Sequence, residues 1–167
     1  MNIPELLLLE FDEEMPGTRR ILERVPEASF AWKPHEKSMT LGRLASHLAD
    51  LPNRCSTIIS TETYVRVPGT PPFAAASTSD LLEHFDTAAE SARTALGSLR
   101  EDQLPVTWTL KMGDRTMATL PRAMALRRVF MDHMIHHRGQ LGVYLRLLDV
   151  PVPGMYGPSA DDAPPAR

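Results

Sequence analysis

The chain has 167 residues, with 18 Lys and Arg against 21 Asp and Glu, a formal charge of −3, one Cys, six His and fifteen Pro. A single domain of that length buries roughly 70% of the surface its unfolded form exposes, so folding needs neither a disulfide nor a structural metal. Near-balanced charge argues against nucleic acid as a partner, and apolar runs such as Leu6 to Leu9 fall far short of the ~20 residues that span a bilayer.

The N-terminus, MNIPELLLLEFDEEM, carries acids where a secretory leader carries Lys or Arg, so a cytoplasmic location is expected. From Ile3 to Val25, Leu7, Leu8, Phe11, Met15, Leu22 and Val25 recur at helical spacing, with a kink or two stacked pieces expected at Pro16-Gly17. Pro26 to Lys37 reads as an ordered loop. Ser38 or Thr40 then caps a second helix to about Tyr64, bent near Pro52, with Leu41, Leu44, Leu48, Leu51 and Cys55 on its inner side. Val67 to Ala76 is a Pro-rich loop. Ser77 to Asp80 has capping-box spacing ahead of a third helix to about Leu99, striped by Leu81, Phe85, Ala88, Ala92 and Leu96. Period two takes over between Val106 and Thr119, and Gly113-Asp114 between two alternating runs predicts a β-hairpin. Thr119 as cap and Pro121 in the first turn open a fourth helix to about Leu148, followed by an irregular tail from about residue 151. No repeat or linker divides the chain, so one domain over 1–167 is expected: all-α, a four-helix bundle with a small hairpin before the last helix.

The histidines sort by face. His137 occupies a slot in the apolar stripe of the fourth helix, between Met134 and Leu141, and His133 lies one turn earlier on nearly the same line. His47 holds the equivalent slot on the second helix, between Leu44 and Leu51. Three imidazoles converging from two helices into a bundle interior suit one divalent cation, which offers each buried ring a partner. A lone inward His is more often a hydrogen-bonded core residue; a pair at i and i+4 with a third from another stripe favours ligation. His136 competes for the second position but lies farther from the stripe centre, as a neighbour. His35 and His84 default to surface. The segment His133 to His137 has no Glu directly after its first His, which excludes the zincin arrangement, and Glu-x-x-His pairs of di-iron bundles are missing. Gln140 shares the face of His133 and His137 and can hold a ring N–H or a substrate group; Arg138, 100° away, reads as structural. Gly139 inside the helix signals either a close neighbour or room for a side chain. Cys55 is expected to be buried and inert.

These motifs carry a family resemblance: Trp32-Lys33-Pro34, then Thr40-Leu41-Gly42-Arg43-Leu44-Ala45-Ser46-His47-Leu48, then His133-Met134-Ile135-His136-His137-Arg138-Gly139-Gln140-Leu141, then Val152-Pro153-Gly154-Met155-Tyr156-Gly157-Pro158-Ser159-Ala160-Asp161. Across nearly its whole length the chain resembles the DinB/YfiT-like family of small bacterial bundles. The resemblance implies an up-down-down-up four-helix bundle, often a homodimer, with His47, His133 and His137 as ligands of nickel, zinc or a similar ion. Characterised relatives use the metal to activate low-molecular-weight thiols. The expected function is therefore a divalent-metal-dependent enzyme acting on a small molecule, a thiol S-transferase first and a hydrolase second. Gln140, His136 and Arg138 are the candidates for a supporting role. A non-catalytic bundle that binds a metal or small molecule and dimerises is the rival from another class. Neither nucleic acid nor membrane is expected as a partner.

Overall fold

Asn2 accepts from the backbone N–H of Glu5 while the Glu5 carboxylate accepts from the Asn2 N–H, a reciprocal cap that opens α1 (Ile3–Leu22). In the computed structural model, which describes residues 1–162, α1 runs through Pro16-Gly17 as one element rather than two. The buried side chains on both sides, Leu7, Phe11, Met15, Ile21 and Leu22, outweigh the one backbone bond that proline removes.

The Thr40 hydroxyl accepts from the Arg43 N–H and starts α2 (Leu41–Asp50). Leu51 keeps helical dihedrals, but Pro52 lacks a donor and begins a separate α3 (Pro52–Ser60), so the bend expected at Pro52 is a break between two helices. α3 also ends four residues before Tyr64. Thr63–Arg66 instead form a strand, β1, whose first two residues fall in the span expected to end the helix.

α4 (Thr78–Gly97) is capped by the Ser77 hydroxyl, which accepts from the Asp80 N–H. The Asp80 carboxylate accepts from the Ala76 N–H, so the box is not closed onto Ser77 itself. β2 (Thr107–Met112) and β3 (Arg115–Pro121) form the expected antiparallel hairpin, whose turn uses the positive φ of Gly113. β1 adds in parallel to β2, giving a three-stranded sheet in the order β1-β2-β3 where only a hairpin was expected. Thr119 belongs to β3, and Pro121, the last residue of β3, is the N-cap of the final rod rather than part of its first turn. The final rod begins at Arg122 as α5 (Arg122–Ala125), passes through a π-helical segment at Leu126–Met131, and continues as α6 (Asp132–Leu147).

The fold is mainly helical. Its rods are α1, the α2–α3 pair, α4 and the α5–α6 rod, and α4 packs against α1, α2 and α3 while α2 packs against α6. The core is aliphatic with Phe11, Phe85, Phe130 and Trp108 buried in it. Arg122, buried, ties the sheet end of the last rod to the end of α3 by donating to the carbonyls of Ile58, Thr61 and Gln103. Residues 151–162 carry neither helix nor strand, and the rest of the expected irregular tail, 163–167, lies outside the described residues. No described helix is long and apolar enough to cross a membrane.

Candidate metal centre

Two local devices aim the three imidazoles. The loop before α2 is laced to its first turn: the N–H groups of Leu41 and Gly42 donate to the carbonyls of Trp32 and Phe30, and Trp32 packs edge-on against Tyr144 of α6. An added Cβ at Gly42 would sit 3.0 Å from the Phe30 side chain, so glycine is what lets that loop close on the helix. His47 projects from the last turn of this anchored α2. On the other rod the π-helical turn, in which the Asp132 N–H donates to Arg127 O five residues back, directly precedes His133 and His137.

The three side chains meet. His133 Nε2 lies 2.8 Å from His137 Nε2 and 3.2 Å from His47 Nε2, and the three ligand atoms all fall within 4.8 Å of one another. Nitrogens bound to one ion at 2.0–2.1 Å stand about 3–3.5 Å apart, so the cluster is already near the spacing a single cation imposes. On two of the rings the other nitrogen is engaged. His137 Nδ1 donates to Gln140 Oε1 at 2.7 Å, and His133 Nδ1 lies 3.4 Å from Val129 O. Carbonyl oxygens only accept, so the protons sit on Nδ1 and both Nε2 atoms present lone pairs to each other.

Burial drives the pKa of all three rings down. For His47 it falls to about 4, through desolvation first and then the charges of His137, His133, Arg43 and Arg54. His133 and His137 are lowered chiefly by desolvation, with the Gln140 hydrogen bond opposing the shift at His137. At neutral pH the cluster therefore holds three uncharged imidazoles, and a cation satisfies the Nε2 lone pairs that His133 and His137 turn toward each other. These residues fit a divalent ion. Among the described residues, the cluster contains no carboxylate and no thiol.

The sequence model of the DinB family matches residues 1–166. The chain belongs to the DinB family. Two solved structures share its fold: a DinB-like protein from Bacillus subtilis, 23% identical, with TM-score 0.65 over 87% of this chain and 95% of that one, and a DinB-like protein from Bacillus cereus, 21% identical, with TM-score 0.71 over 91% and 97%. A comparison with curated proteins finds no match.

Around this DinB-family centre the other singled-out residues fall in different places. Gln140 touches His137 directly. His136 is exposed, its ring edge-on to that of His137 at 5.0 Å between centroids. Arg138 turns away to α1, where it pairs with Glu14 at 2.5 Å and donates to the Glu14 carbonyl, the Thr18 hydroxyl and the Tyr156 hydroxyl. Tyr156 in turn donates to Glu14, which pins the tail to α1. An added Cβ at Gly139 meets nothing within 4 Å, so of the two readings of that glycine the structure selects room. Cys55 is fully buried, and burial pushes its thiol up to about 12. His35 is exposed, whereas His84 is half-buried, stacked on Phe73 at 3.7 Å and bonded to Asp50, contrary to the surface expectation. The sequence reading passed over three arginines beside His47: Arg43, Arg54 and Arg66 line one small cavity with it. For Arg43 a signal existed, since it lies one turn before His47 on the same face.

Proposed function

We propose that His47, His133 and His137 hold one divalent ion, nickel or zinc, and that the protein is a metal-dependent enzyme that activates a low-molecular-weight thiol for transfer to an electrophilic small molecule. The observation that carries this reading is the approach of His133 Nε2 to 2.8 Å from His137 Nε2 and 3.2 Å from His47 Nε2. Such an ion lowers the pKa of a thiol or water that binds it, supplying a nucleophile near pH 7. The chain's own part is to orient. Gln140 and the Val129 carbonyl fix which nitrogens of His137 and His133 face inward. Thiol is favoured over water because no carboxylate joins the cluster to serve as a base: a thiol, once deprotonated, is a complete nucleophile, whereas hydrolysis calls for further proton transfer. A second copy of the chain is the proposed protein partner, supported by the exposed apolar side chains Ile3, Leu6 and Leu9 on α1.

The test is elemental analysis of protein reconstituted with nickel or zinc and then desalted. One ion per chain is expected, with loss in His137→Ala. A stoichiometric ion in that variant overturns the ligand set. Turnover of an electrophile panel should require added thiol, and equal rates without thiol overturn the transferase reading.

A further inference from the structure

Beside the imidazoles, the cavity of about 80 Å³ that His47 shares with Arg43, Arg54 and Arg66 sets three guanidinium groups against one carboxylate. The carboxylate on its wall, Asp50, is engaged elsewhere: Oδ1 accepts from Asn53 and from His84, both at 2.9 Å. Arg54 sets its guanidinium over the Tyr64 ring at 5.1 Å and makes no hydrogen bond or ion pair among the described residues. Most telling is Arg43. Its Nη1 is buried, yet it has no hydrogen-bond partner among the described residues. A buried charged donor left unpaired costs more than an ordinary hydrogen bond returns, so such a group is expected to meet a partner the chain does not supply. Three guanidinium groups beside three neutral imidazoles concentrate positive potential in one corner of the molecule.

We propose that Arg43, Arg54 and Arg66 form a receptor for the carboxylate of a small organic anion, seated next to His47. The planar fork of arginine matches a carboxylate with two parallel N–H···O bonds, and the cavity is of head-group size. Asp50, Arg54, Arg66, Pro72 and Phe73 also line a groove of about 330 Å³, which Tyr64, Val65 and Pro71 continue, so the body of the ligand has a path outward over mixed polar and apolar surface. The inference deepens the metal-centre reading and rests on it for what the other end of the ligand meets: a thiol carrying a carboxylate two or three bonds away engages the arginines while its sulfur points to the imidazoles.

The experiment uses the full chain loaded with Co(II) and two probes of equal length, 3-mercaptopropionate and 3-mercapto-1-propanol. Binding is followed by the thiolate-to-cobalt absorption band. The acid is expected to bind at least about tenfold more tightly than the alcohol, the scale of a charge-assisted bidentate contact. Arg43→Met, or Arg66→Met should the first variant fold poorly, is expected to remove that preference and leave binding of the alcohol unchanged. In parallel, propionate titrated into the metal-free, isotope-labelled chain is expected to shift the Arg43 Nε–H resonance, and 1-propanol is not. Equal affinity for both thiols with no propionate response overturns the receptor and leaves the metal centre standing. A propionate response in a protein that shows no cobalt spectrum supports the receptor and overturns the metal centre.

Discussion

Gln140 is an exposed residue whose amide oxygen accepts the Nδ1 proton of His137 at 2.7 Å, and this one contact decides which nitrogen the ring turns inward. Replacing it with Leu removes the acceptor while disturbing little packing. Gln140→Leu is expected to weaken metal affinity by about 10–100-fold, the usual cost of losing a partner behind a ligand, with the unfolding midpoint of the metal-free protein unchanged. Competition against a fluorescent chelator measures it; unaltered affinity would mean that the ring is held by packing alone. Gln140 was legible from the sequence because a helix places i and i+3 on one face, and Arg138 was legible as structural because 100° carries it off that face. The lack of a partner for Arg43 Nη1 among the described residues was not legible. It depends on Arg54 from α3, Arg66 from β1 and the diversion of Asp50 to His84, none of which a pattern along one helix contains.

At the scale of elements, the site needs the N-terminus of α2 held against the loop before it. The Phe30 ring stands 3.0 Å from where a Cβ on Gly42 would lie, and ring atoms packed this way have little room to give. Gly42→Ala is therefore expected to destabilise the fold by about 1–3 kcal/mol through overpacking, despite alanine's better helix propensity. Urea unfolding should show a lower midpoint with an unchanged slope, and a gain in stability would show that the loop yields freely. Periodicity located α1, α4 and the helical line through His133 and His137, because those runs are long enough for 3.6-residue spacing to stand out. It missed β1, a four-residue strand whose partner lies beyond the whole of α4, so that nothing near it in the chain marks it as paired. It also missed the π-helical turn, since six residues are too few to separate one helical period from another.

For the whole molecule, the three imidazoles link folding to pH. Each ring has a lower pKa in the fold than in the open chain, and for His47 the change is from 6.5 to about 4. Between those values the unfolded chain takes up protons that the folded one refuses. Stability of the metal-free protein is thus complete above about pH 6.5 and declines as the pH falls toward 4. Thermal unfolding of the stripped protein from pH 7.5 to 4.5 should show a falling midpoint whose slope is reduced in His47→Gln; a flat profile would mean that the rings protonate freely in the fold. Convergence of α2 with α6 is a property of this scale, and the sequence supported it only indirectly, through two stripes that each carried a histidine. The π-helical turn has a consequence here. The turn at Leu126–Met131 closes its hydrogen bond over five residues rather than four, so it takes up one residue more than the α-helical turn it replaces while the two α6 imidazoles keep their direction. Exchanging one apolar side chain there for another leaves the aim intact. Removing one residue from it straightens the segment to plain α-helix and keeps both rings turned toward His47, so the segment lets the rod change length without losing its aim.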